Sequence, residues 1–254
     1  MYLVLRKIHN ISLMNYPRKF SFSLRSWITQ SPSRSYLYLP YLWWGQAKRR
    51  ADGTDPREGL VLPDTELMID GFQGSANSFA TAAFQLCQTR SVRLAHHRHA
   101  PIYMMKAVKM NTPVILTIRE PAGTVISLSS RWPHISTKQG LTSYVSFYES
   151  LKPYSDRLIV STFTLTTKHL DKVIAATNLK FGTDFDLVDP HLANKKCKKV
   201  FGNSPEDIKR RKEIKEERRA DLERIKDTEL FRKAQRIHEF YLKKSHSDEL
   251  LNID

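Results

Sequence analysis

The stretch ELMIDGFQGSANSFATAAF, residues 66–84, constrains this chain more than any other part of it. A short apolar run breaks at a Gly/Ser/Asn turn and resumes with helical spacing, which predicts a strand, a tight turn and a helix in immediate succession. That order cradles phosphate, because the first amides of a helix have no intrahelical acceptor and point at whatever lies beyond the strand end. Gly71 and Gly74 let the backbone bend and approach a ligand, while Ser75, Asn77 and Ser78 add neutral donors. A nucleoside-triphosphate loop would need G-x-x-x-x-G-K-[ST], its lysine reaching the terminal phosphates and its hydroxyl holding magnesium. Neither that lysine nor that spacing is present.

The same texture continues downstream. ELMID, VRLA, PVILTI and RLIVST are short apolar segments separated by stretches of helical period, which predicts parallel βαβ units and an α/β fold with a central parallel sheet. In the first helix Phe79, Ala82, Ala83, Leu86 and Cys87 fall on one face, and Pro121 sits where a first helical turn accepts proline. Ser204-Pro205-Glu206 starts a charged helical segment whose second half carries a seam of Leu230, Ala234, Ile237 and Tyr241, and residues 208–220 read as a solvated face. The expected organisation is an irregular basic and aromatic N-terminal arm over 1–64, an α/β core over 65–200, and a helical C-terminal segment of the same domain over 201–254.

The chain has 254 residues, 41% of them hydrophobic, which suits one substantial core. Its formal net charge of +15 implies anionic partners, but the excess is carried by the flanks. Residues 1–64 hold ten basic against four acidic residues and 195–245 hold eighteen against ten, whereas 65–194 hold thirteen against nine. Anion sites in the core are therefore expected to be discrete, and no RNA- or DNA-binding motif accompanies the charge. Cys87 and Cys197 make no disulfide framework and no metal-ligand spacing. The opening MYLVLRKIHNISLM meets Arg6 and Lys7 too early for a secretory apolar region, so a cytoplasmic location is the expectation. SYLYLPYLWWGQAKRR sets aromatics beside a basic cluster; it reads either as a loosely structured arm or as an interfacial anchor giving peripheral membrane contact.

A second anion site is expected after PVILTI. A magnesium-dependent hydrolase would place an acid near that strand end, but Arg119 stands there. Ser127 follows eight residues later, about two helical turns on. A guanidinium fork and a hydroxyl so spaced can converge on one phosphate; alternatively Arg119 simply pairs with Glu120 and Ser127 faces solvent.

Two phosphate sites without a lysine–magnesium apparatus resemble the sulfotransferase family. GFQGSANSF is similar to that family's G-[FY]-P-[RK]-S-[GA]-[NT]-[TS]-[FLW] at Gly71, Phe72, Ser75, Ala76, Asn77, Ser78 and Phe79, and REPAGTVIS resembles its 3'-phosphate motif at Arg119 and Ser127. LAHHRHAP looks like the segment carrying its catalytic histidine. The resemblance spans roughly residues 65–245. It implies a P-loop-type three-layer sandwich and a transferase that moves a sulfuryl group from 3'-phosphoadenosine 5'-phosphosulfate (PAPS) to a hydroxyl of a carbohydrate or other small acceptor, with no metal. It further implies that residues 71–79, Gln73 and Gly74 included, bind the 5'-phosphosulfate, that Phe79 either stacks on adenine or packs in the core, and that His99, His97 or His96 is the base. A histidine titrating near neutrality suits proton removal from an alcohol. Three clustered histidines also admit a metal site, although no nearby carboxylate or cysteine completes one.

The chain departs from the pattern at Gln73-Gly74, where the family has proline followed by a basic residue that neutralises the leaving oxygen. Either Lys106, Arg98 or a member of the 209–212 cluster reaches in, or the protein binds nucleotide and turns over slowly or not at all. TFTLTT also lacks the acid that relatives carry after the corresponding strand. The rival readings are a divergent ATP- or GTP-dependent kinase on the same architecture and a non-catalytic binder of polyanions or of a partner.

Overall fold

A computed structural model describes residues 20–189, 192–193, 195, 197 and 204–245. The opening read for a leader, the 201–203 stretch and the acidic tail lie outside the described residues.

Four strands, β1 (Leu67–Gly71), β2 (Leu94–His96), β3 (Val114–Ile118) and β4 (Ile159–Thr162), form one all-parallel sheet in the order β2-β1-β3-β4. In β1 and β3 every residue is buried, as expected for a parallel sheet covered on both faces. Alternation splits the strand residues between two apolar clusters. Met68, Val114, Leu116, Ile118 and Val160 face one, and Leu67, Ile69, Ile115 and Ile159 face the other.

Helix α1 covers residues 20–29 and α2 covers Leu39–Ala51, joined by a 3₁₀ turn over Pro32–Tyr38. The described part of the arm, expected to be irregular, thus carries two helices and a 3₁₀ turn before an irregular stretch over 52–64. Proline at the first turns of both the 3₁₀ segment and α2 fixes each start, and Tyr38 is buried edge-on against Tyr103. Trp43 and Trp44 stand out from α2 at 64% exposure each, with Lys48, Arg49 and Arg50 in its last turn.

After the strands come α3 (Asn77–Cys87), α4 (Pro101–Lys109), α5 (Pro121–Arg131), α6 (Thr137–Leu151), and then α7 (Phe163–Lys168) and α8 (Leu170–Phe181). Helices α4, α5 and α6 pack on the first cluster, and α3, α7 and α8 on the second. The buried face of α3 is Asn77, Ala80, Thr81, Ala83 and Phe84, rotated from the face read from the sequence: Ala83 is shared, Ala82 and Cys87 are partly buried at its margin, and Leu86 is exposed. The helix begins with the polar turn pressed into β3, and that contact sets its rotation. Phe79 is only partly buried against the second cluster.

Helices α9 (Pro205–Ile225) and α10 (Glu229–Lys244) close the chain, each started by a side-chain cap, Ser204 to the Asp207 amide and Thr228 to the Phe231 amide. Leu222 is the buried residue of α9, in keeping with its solvated character. Phe231, Ala234, Ile237 and Tyr241 seat α10 in the first cluster, with Leu230 at the margin. No described helix is long and apolar enough to cross a membrane.

Candidate functional site

Chain order fixes where a ligand can sit. β1 and β3 are neighbours, but the chain leaves β1 for β2 on one side and leaves β3 for β4 on the other. The helices that follow, α3 and α5, lie on opposite faces of the sheet. Beyond the carboxyl ends of such a strand pair the backbone divides and leaves a crevice, the usual ligand position in open α/β sheets.

One wall of the crevice is the turn 71–79. Gly71 is obligatory, since a Cβ would overlap the Thr117 carbonyl and hydroxyl on β3. The side chains of Ser75 and Asn77 are turned toward β3 and the turn's own carbonyls. Ser75 Oγ bonds the Phe72 carbonyl at 2.6 Å and Thr117 Oγ1 at 3.0 Å. Asn77 Nδ2 donates to the carbonyls of Phe72 and Gly71, and its Oδ1 accepts from Thr117. These bonds lock the turn onto β3, and Phe72 packs edge-on against Tyr144 and Phe147. What remains for a ligand is backbone: among the described residues the amides of Gln73, Gly74, Ala76, Asn77 and Ser78 have no acceptor. Ala76 adopts the left-handed region at φ 72°, which brings successive amides round into a concave anion nest.

The opposite wall is α5. Gly74 lies against it with φ +96°, and a Cβ there would sit 2.8 Å from the Thr124 carbonyl and 3.3 Å from Ser127 Cβ. Ser127 therefore touches the turn. The Arg119 guanidinium lies over the first turn of α5, with Nη2 2.5 Å from a Cβ position on Gly123. Gly123, Ser127 and Arg131 are four residues apart, so one stripe of α5 lines up a guanidinium, a hydroxyl and a second guanidinium. Arg119 also pairs with Glu120 at 3.0 Å and covers the Phe163 ring at 4.3 Å. An exposed pair of adjacent residues is worth little and competes weakly with phosphate. Tyr144 steadies the strand end by donating to the Arg119 carbonyl at 2.9 Å.

Arg131 was not legible as a site residue, whereas its neighbour on α9, Arg211, belongs to the 209–212 cluster expected to supply a cation. Desolvation, and then the charge of Arg211, hold the Arg131 guanidinium below its ordinary value. Neither has a carboxylate partner among the described residues, and Arg211 Nε is buried with no acceptor. Two cations gathered without counter-charge favour an anion between them.

The floor is the loop after β2. His97 and His99 take positive φ values of 55° and 47°, strained for non-glycine residues. Asp70, fully buried on β1, holds them there: it accepts from the amides of Gly71, Arg98 and His99 and lies 3.1 Å from His99 Nδ1. Burial alone would raise the Asp70 carboxyl, but the adjacent His99 ring and these hydrogen bonds hold it below the usual carboxylate range. His99 Nδ1 is also 2.9 Å from the Gly71 carbonyl, which only accepts, so Nδ1 carries the proton and Nε2 is the basic nitrogen. Nε2 has no described partner. His97 Nε2 meets Ser78 Oγ at 3.0 Å and His97 Nδ1 meets His96 Nδ1 at 2.7 Å. Desolvation lowers His96 and brings His97 to about 4, so both are neutral at pH 7. Among the described residues no group of histidine, cysteine or acid converges as a metal site.

Two of the cations expected to replace the missing basic residue are engaged elsewhere. Lys106 Nζ is bonded to the Val61 carbonyl and Arg98 to the carbonyls of Glu58 and Gly59. Arg25 comes closer: on α1 it lines a narrow cleft with Phe72, Gln73 and His99. No protein-family model, characterised protein or solved structure matches the chain. The functional reading therefore rests on this geometry.

Proposed function

We propose that the chain is a PAPS-dependent sulfotransferase on a P-loop-type α/β sandwich, acting on a hydroxyl acceptor. The observation that carries the reading is the contact of Gly74 with Ser127, which sets an amide nest and a Gly123–Ser127–Arg131 stripe on two walls of one crevice. Two anion sites so joined suit a nucleotide charged at both ends. The amides at the start of α3 take the 5'-phosphosulfate; Arg119 and Ser127 take the 3'-phosphate, with Arg131 and Arg211 extending the positive wall. His99 Nε2 takes the acceptor proton as the acceptor oxygen bonds sulfur and the bond from sulfur to the bridging phosphate oxygen breaks, releasing 3'-phosphoadenosine 5'-phosphate. Its Nδ1, held by Asp70 and the Gly71 carbonyl, fixes the tautomer that this step needs.

The test is calorimetric titration with 3'-phosphoadenosine 5'-phosphate in the absence of magnesium. The parent is expected to bind, and Arg119→Ala to weaken binding about tenfold or more, the worth of a charge-assisted fork. No binding by the parent, or equal binding by the variant, defeats the reading. Gly74 keeps a second reading open, nucleotide binding without chemistry, because the turn itself carries no cation. Turnover of PAPS that is lost in His99→Ala while nucleotide affinity is retained separates the two.

A further inference from the structure

Beside the crevice, α1, α2 and the 132–135 segment line an open pocket of about 540 Å³ whose walls include Phe22, Arg25, Tyr41, Gln73, Trp132 and His134. We infer that it is the acceptor site and that it takes a flat-faced hydroxyl compound bearing a carboxylate or similar anionic group; the acceptor role rests on the sulfuryl-transfer reading above.

Position comes first. Gln73 belongs to the turn 71–79, and the narrow cleft that reaches His99 shares Phe22, Arg25 and Gln73 with this cavity. A hydroxyl directed out of the cavity through that cleft meets His99, whose Nε2 has no described partner. The volume falls in the range of about 300–1,000 Å³ usual for small-molecule sites.

The lining then selects the chemistry. Phe22, Tyr41 and Trp132 offer aromatic surface to a flat apolar face. No aspartate or glutamate is among the wall residues, so a cationic acceptor finds no counter-charge. Arg25 is a cation without a carboxylate partner among the described residues: an Nη2 bond to the Arg98 carbonyl at 2.6 Å and a hydrogen bond with the Tyr38 side chain fix it, and its guanidinium lies 5.6 Å from the Tyr41 ring centre. A guanidinium has five N–H donors, and those left over form a fork that matches a carboxylate. Gln73, which makes no hydrogen bond to a described residue, adds a neutral amide at the inner end. The residue type that the turn lacks is supplied on the acceptor side, from a helix of the N-terminal arm.

Titrating the full chain with hydroxynaphthoate and, separately, with uncharged naphthol tests this without turnover. The parent is expected to bind the anion about tenfold more tightly. Arg25→Gln is expected to bring the two affinities to within about twofold, with naphthol and 3'-phosphoadenosine 5'-phosphate binding both unchanged, which also reports an intact fold. Tyr41→Ala should weaken both naphthyl probes. Equal affinity of the parent for the two probes, an unchanged anion preference in Arg25→Gln, or a loss of nucleotide affinity in that variant overturns the assignment. Failure of the parent itself to bind the nucleotide would defeat the donor reading and with it the acceptor role, while the probe preference still decides the anion-selective pocket.

Discussion

At Asp70 a full negative charge is held at the end of β1 with none of its surface in solvent. Three backbone amides and His99 Nδ1 surround it, so it positions the histidine loop rather than reacting itself. Asp70→Asn turns one acceptor oxygen into a donor facing amides that also donate, and is expected to cost about 2–4 kcal/mol in chemical denaturation at pH 7. The pH dependence has a definite sign. Because the folded carboxyl sits below its ordinary value, its contribution is complete above the unfolded value near about 3.9 and is lost as pH falls through the lower folded value. The stability gap between parent and variant should therefore narrow only in strong acid; a gap independent of pH, or no gap at pH 7, refutes the clamp.

At the scale of elements, α5 and the turn after β1 fit each other so closely that the departure from the sulfotransferase pattern has a physical cause. With φ +96° and α5 backbone 2.8 Å from a Cβ position, residue 74 has no room for a side chain. Gly74→Arg, which restores the pattern, is expected to destabilise by about 1–3 kcal/mol and not to tighten 3'-phosphoadenosine 5'-phosphate binding. A variant as stable as the parent that binds the nucleotide more tightly would show that α5 does not sit against the turn. The strand–turn–helix units were legible because their signals are local: glycines at the bend, proline at the start of α5, two-residue and helical periods in the apolar residues. The rotation of α3 was not, because Ser75 and Asn77 settle it through bonds to β3, forty residues away. Arg25, Asp70 and Arg131 escaped for the same reason, each acquiring its role from a neighbour that only folding brings near. Asp70 did leave a trace, a lone charge inside the apolar run LMIDG. Arg131, four residues after Ser127, left another.

At the scale of the molecule, the arm, the core and the C-terminal helices share one apolar interior. Tyr38 and Val61 from the first segment, Leu116 and Tyr148 from the core, and Leu222, Ile237 and Tyr241 from the last belong to a single cluster. Tyr241 hydroxyl donates to the Tyr148 carbonyl at 2.7 Å, and Tyr148 hydroxyl donates to the Thr117 carbonyl at 2.9 Å, so α10 is tied through α6 to β3. An interior built this way unfolds as one unit, because removing α10 would expose side chains that the sheet also needs covered. Ile237→Ala deletes buried methylenes at the centre of that contact and is expected to cost about 2–4 kcal/mol, a fall in melting temperature of roughly 5–10 °C for a chain of this size. The tryptophans give a remote readout, since Trp27, Trp43, Trp44 and Trp132 all lie outside α10. Their fluorescence and the helical circular dichroism should shift by the same amount in the variant. Partial loss of helix with an unmoved fluorescence transition would instead make α10 a separate unit, and the crevice beyond β1 and β3 would then be framed without it.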